Sequence, residues 1–122
     1  MRHLLTLAAT LSLSAPALAA TSPISMTYRT VHYTCSGGTK LDVIYIRFAT
    51  RPLFAVVNWQ GKQYGLAEAL SASGSRYAGL YGPAQAPNGL EWWEHQGQAE
   101  LNAFTSSGKT KSLLTACKAP RG

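Results

Sequence analysis

The chain is poor in the residues that most chemistry needs. It has one aspartate, Asp42, four glutamates, two cysteines and three histidines in 122 residues. Two distant cysteines and scattered histidines lack ligand spacing, which excludes a zinc-type metal site. A lone aspartate with no evident place beside a histidine, and no nucleophile-elbow pattern, leaves little room for a serine hydrolase. Nothing in the sequence calls for a cofactor. Internal repeats and low-complexity tracts are absent. So is an amphipathic helical stripe; the brief 66–70 stretch is helix-compatible by composition but flanked closely by glycine and serine. The eleven Lys+Arg outnumber the acids and give a net charge of +6, yet they are spread along the chain. With no basic run and no reader motif, nucleic acid is excluded as a partner, and the reading is a basic surface able to associate with anionic envelope polymers.

The first nineteen residues read as a cleavable export signal. Arg2 and His3 supply a positive start, 4–13 is an apolar run too short to span a bilayer, and Pro16 and Ala17–Ala19 give the small-residue pattern before a cut after Ala19. No cysteine follows that cut and no later segment is long and apolar, so the expectation is a periplasmic chain, with no lipid anchor or transmembrane segment. Residues 20–122 then form one domain. In an oxidising compartment Cys35 and Cys117 pair; the alternative is two buried thiols. The bridge would close a loop of about eighty residues, worth roughly 4–5 kcal/mol in the chain-entropy model.

What is present is a period of two. Strands are predicted over 28–35, 40–48, 53–59, 63–70, 77–81, 90–95, 97–104 and 111–117, separated by the turns 36–39, 60–62 and 105–108 and by a proline-containing loop over 82–89. In the first of these, Val31, Tyr33 and Cys35 share one face and Thr30, His32 and Thr34 the other. Seven or eight short strands with regular turn signals are an all-β pattern, an antiparallel barrel or sandwich. A bridge between the first and last strands suits a barrel, whose closure brings them together. Trp92 and Trp93 fall on opposite faces of their strand, one inward and one outward. Trp59 reads as core or as filler at a barrel end.

Residues 71–77 stand apart. Small side chains permit close approach, Gly74 permits conformations other residues avoid, and the bend ends in Arg76 and Tyr77. A hydroxyl, a cation and an aromatic on such a turn make a compact probe able to enter another protein's cleft.

Taken in order, Tyr33 and Cys35, an apolar strand from Leu41, the stretch Ser73, Gly74, Ser75, Arg76, Tyr77, the pair Trp92 and Trp93, then Gly97 and the final Cys117 resemble the periplasmic and membrane-bound inhibitors of c-type lysozyme, the MliC/PliC family. The resemblance covers nearly all of the chain after the signal. Its sharpest element is S-G-x-x-Y, filled by Ser73, Gly74 and Tyr77. It implies a small eight-stranded antiparallel β-barrel and a non-enzymatic inhibitor whose partner is a c-type lysozyme, with the 73–77 segment entering the active-site cleft and Ser73 meeting a catalytic carboxyl. A second family stretch, F/W-W-x-K-G, supplies a lysine to the same carboxyls. Here it reads Trp92, Trp93, Glu94, His95, Gln96, Gly97, so His95 without a gap, or Gln96 with one inserted residue, stands at the lysine place, and neither is a permanent cation.

The chemistry of the target fits such an insert. A retaining lysozyme holds two carboxyls about 5 Å apart, one protonated and one ionised. A serine hydroxyl both donates and accepts, so it satisfies either state, and a cation would add a charge-assisted bond. Lysozyme-binding candidates are therefore Ser73, Gly74, Ser75, Arg76, Tyr77, His95 and Gln96. For several the plainer alternative stays open: Ser73 and Ser75 as solvated turn hydroxyls, Arg76 as a solvated strand residue, Tyr77 as a strand aromatic packed on the barrel. C-type lysozymes are typically basic, as is this chain, so contact would depend on local complementarity, with Glu91 and Glu94 meeting basic rim residues. The competing function is a periplasmic glycan- or envelope-binding module on the same scaffold.

Overall fold

In the structure, a computed structural model, residues 8–15 and 25–121 are described. The signal segment falls partly, and its cleavage point wholly, outside them. Alternation along the chain becomes eight strands: β1 Met26–Thr34, β2 Lys40–Phe48, β3 Arg51–Trp59, β4 Lys62–Ala69, β5 Ser75–Gly79, β6 Leu90–His95, β7 Gln98–Phe104 and β8 Thr110–Cys117. They form one sheet in sequence order, each strand antiparallel to the next.

The sheet curls until its ends meet at one point. The Thr34 N–H donates to the Lys118 carbonyl and the Lys118 N–H to the Thr34 carbonyl, both at 2.9 Å. The Cys35–Cys117 disulfide lies immediately beside this bridge. The rest of β1 does not pair with β8, so the barrel is a curled half-barrel pinned at one corner. The pin matters because edge strands otherwise present unpaired backbone groups.

Inward residues of neighbouring strands fill the interior. Leu41, Val43 and Tyr45 of β2, Ala55, Val57 and Trp59 of β3, Leu66 of β4, Tyr77 of β5 and Leu90 and Trp92 of β6 are all buried. Trp92 is wholly enclosed and Trp93 half-buried, as opposite faces require. The 82–89 loop is packed rather than draped, with Ala86 fully buried among the core residues.

Several strand ends shift by one or two residues from the sequence reading, β5 ending at Gly79 rather than at 81, and two of the starts have a clear physical reason. β3 begins at Arg51, so Pro52 lies inside a strand; a register shift between Ile46 and Arg47 of β2 accommodates it. β5 begins at Ser75 rather than at 77. Ser75, Arg76 and Tyr77 pair with Glu94, Trp93 and Trp92 of β6, so the bend proper is shorter than the sequence suggests.

Candidate functional site

The bend between β4 and β5 is exposed from Ala72 to Ser75. Its shape is set locally. Ser71 Oγ bonds the Ser73 carbonyl and accepts, at 3.3 Å, the Ser73 N–H. This short-range side-chain bonding is the reason serine suits turns. Gly74 then adopts φ +67° and lies directly on β6; a Cβ there would be 1.9 Å from the Glu94 carbonyl oxygen and 2.9 Å from His95 Cβ. Only glycine meets both demands.

Two further side chains tie the bend down. Trp93 Nε1–H donates to the Ser73 carbonyl at 3.0 Å. Arg76 reaches back: its Nη1 donates to the Leu70 carbonyl at 2.6 Å, while Nε at 2.8 Å and Nη2 both donate to Glu91 Oε2. Glu91 is almost fully buried and takes a further bond on Oε1 from Asn102 Nδ2 at 2.9 Å. The Ser73 hydroxyl itself is left at the surface.

The second stretch sits against the first. The His95 ring stacks on Trp93 with centroids 4.0 Å apart. Gln96 and Gly97, at φ +53° and +76°, make the two-residue turn from β6 to β7, with His95 opposite Gln98. Ser73, Gly74, His95 and Gln96 thus form one continuous surface.

Beneath this surface lies a polar cluster that sequence reasoning missed. Tyr33 Oη–H donates to Glu94 Oε1 at 2.8 Å, and Tyr45 Oη–H donates to the same oxygen. The two phenols are 2.8 Å apart, and Trp92 Nε1–H donates to Tyr45 Oη at 2.8 Å. Burial pushes both phenols well above the usual tyrosine range, and the Glu94 charge pushes the same way; for Tyr33 the contact with the Tyr45 hydroxyl partly opposes it. Tyr77, raised to about 12, shows the same causes, burial first and then Glu94. These phenols stay O–H donors at neutral pH. The cluster joins positions 33, 45, 92 and 94, and no local motif announces it.

Several expectations change. Tyr77 is buried beneath the bend and packs 5.8 Å from the Tyr45 ring, so it supports the bend from inside and its phenol is not at the rim. Arg76 is half-buried rather than a free surface cation, because its guanidinium already holds Glu91 and the Leu70 carbonyl. Glu91, enclosed with its own arginine, is not available to basic rim residues. Among the described residues no bond links Ser73 to His95, and Asp42 Oδ1 meets His32 Nδ1 at 2.6 Å rather than His95.

Comparison with known proteins decides the family. The profile described as "Membrane-bound lysozyme-inhibitor of c-type lysozyme", MliC, matches residues 33–109. The chain belongs to the MliC family. That match contains the bend, the His95 turn and the whole Tyr33–Glu94 cluster. Lipoprotein LprI of Mycobacterium bovis and its counterpart in Mycobacterium tuberculosis are each 34% identical over 87 residues, 70% of this chain. This MliC-family chain spans 39% of the length of those relatives. Among solved structures, the adhesin complex protein of Neisseria meningitidis shares the fold at TM-score 0.50 and 17% identity, over 75% of this chain and 99% of that one. Pseudomonas aeruginosa MliC in complex with hen egg white lysozyme aligns over 89% of this chain and 99% of that one, at 21% identity and TM-score 0.49. The family is described as membrane-bound and the mycobacterial relatives are named lipoproteins, so the expectation of an unanchored chain gains no support from its kin.

Proposed function

We propose that this MliC-family protein is a periplasmic inhibitor of a c-type lysozyme that plugs the enzyme's cleft with the Ser73–Gly74 bend. The observation that carries the reading is the pairing of an exposed bend with an immobile base. Ser73 is at the surface, while its own carbonyl, Gly74 and Arg76 are fixed to β6 and to a buried carboxylate. Pre-organisation of this kind lowers the ordering cost of binding. Inhibition requires no covalent step: the hydroxyl meets the catalytic carboxyls and the bend displaces substrate.

Roles divide by position. Ser73 makes the carboxyl contact. Gly74 permits the close approach. Ser75 and Gln96 flank the contact surface. His95, held flat on Trp93 beside Gly74, takes the place of the family lysine in the ungapped reading, and Gln96 takes it if one residue is inserted. Tyr77 and Arg76 act through the bend as positioning residues.

Lysis of cell-wall substrate by a c-type lysozyme should slow in the presence of the purified protein. Ser73→Asp places a like charge beside the enzyme's carboxylates and should weaken inhibition at least a hundredfold. Full potency in Ser73→Asp would remove the mechanism. Binding to peptidoglycan or lipopolysaccharide without any lysozyme complex would favour an envelope-binding module instead.

A further inference from the structure

Beside the bend is a hollow of about 360 Å³, walled by Gly74, Ser75, Glu94, His95 and Gln98 among others; the His95 ring is stacked on Trp93 and makes no ion pair with Glu94. Asp42, Glu68 and Glu91 are each paired with a cationic side chain or histidine of this chain. Among the described residues Glu94 and Glu100 have no such partner; Glu100 accepts from Asn102 Nδ2, and Glu94 has only the two phenols, both on Oε1. Neutral donors orient a carboxylate without cancelling its charge. Its other oxygen, Oε2, accepts no bond from the described residues and is not sealed from solvent. Arg29, the cation near the cluster, lies over the Tyr45 ring at 5.8 Å and makes no ion pair with Glu94.

We infer that this hollow takes a basic side chain from the rim of the enzyme whose cleft the bend fills, with Glu94 as its counter-ion. The inference rests on the lysozyme-inhibitor reading and adds the partner chemistry that it lacks. Two basic proteins repel at long range, so a local anion at the contact favours the complex by opposing that repulsion. Glu94 is half-buried and rigidly held, the condition under which a charge pair is screened least. Ser75, its cross-strand partner in β5, and Gln98 supply further polar groups on the wall, suited to the several donors of a guanidinium or ammonium.

The test titrates wild type, Glu94→Gln and Ser73→Asp against one c-type lysozyme in three forms: native, arginine-blocked with a diketone, and lysine-acetylated. Glu94→Gln should bind native enzyme about tenfold or more weakly. Blocking the cation that enters the hollow should weaken wild type to a similar degree and leave Glu94→Gln no weaker than before, and the form that does so identifies the side chain as arginine or lysine. Should Glu94→Gln lose its near-ultraviolet signature, Ser75→Arg decides, because it fills the hollow with an internal cation and should cause the same loss. Native-strength binding by a folded Glu94→Gln, or by Ser75→Arg where that variant decides, overturns the inference. If Ser73→Asp fails to bind in that case, the cleft reading survives alone. Absence of binding by wild type overturns both.

Discussion

Gly74 and Glu94 are in such close contact that a single methyl group on Gly74 would sit 1.9 Å from the Glu94 carbonyl oxygen. The exposed bend is therefore seated on β6, on the strand that also presents His95 and the Glu94 carboxylate. Gly74→Ala should displace the bend while leaving the sheet intact. The positive φ alone costs about 1–2 kcal/mol, and the backbone collision forces a shift beyond that. Circular dichroism should show an unchanged β signature, with inhibition of lysozyme reduced tenfold or more.

Arg76 links the bend to the interior. Arg76→Ala leaves Glu91 enclosed without its cation, a change that costs about 3 kcal/mol for a pair of this burial. Urea unfolding should show that loss. Arg76→Lys should recover only part of it, because one ammonium cannot hold both Glu91 and the Leu70 carbonyl as the guanidinium does. Both variants should lose more inhibition than their folded fraction explains.

Alkali should unfold the protein earlier than its disulfide suggests. Tyr33, Tyr45 and Tyr77 all have phenol pKa values raised in the folded state, Tyr77 to about 12. The unfolded chain ionises these groups near pH ~10, so above that pH it binds fewer protons than the folded chain and stability falls. Below pH ~10 their contribution is fully present. Denaturant midpoints should be flat from pH 8 to about 9.5 and then decline. Phenolate absorbance should show three tyrosines titrating only as the fold is lost.

In the ungapped reading, His95 falls where the family resemblance implies a lysine; with one inserted residue, Gln96 does. His95→Lys restores a permanent cation beside Gly74 and should strengthen inhibition at neutral pH by about tenfold, through a charge-assisted bond to an ionised carboxyl. Loss of the ring from the Trp93 face makes the converse informative: weaker inhibition would assign His95 to holding Trp93 and the Ser73 carbonyl in place.

The strand pattern and the turns were legible in the sequence because they are local. Alternation over 40–48 and the Gln-Gly turn at 60–61 needed only near neighbours, whereas Gly97, read as the start of a strand, belongs to the turn before β7. The disulfide followed from compartment chemistry. The start of β5 was not legible, because Ser75 and Arg76 are extended by pairing with Glu94 and Trp93 rather than by their own propensity. Glu91 read as a surface acid by its type, and only Arg76 and Asn102 from neighbouring strands make its burial tolerable. The Tyr33–Tyr45–Trp92–Glu94 cluster joins three strands and has no spacing that a single sequence displays.

Competition in the cleft tests the central claim most directly. Binding of the protein to a c-type lysozyme should be measured by calorimetry with the cleft free and with it saturated by a chito-oligosaccharide. Plugging by the Ser73 bend predicts that the sugar lowers the apparent affinity in proportion to its occupancy, with purely competitive kinetics in the lysis assay. Equal affinity for the free and the sugar-filled enzyme would contradict the account.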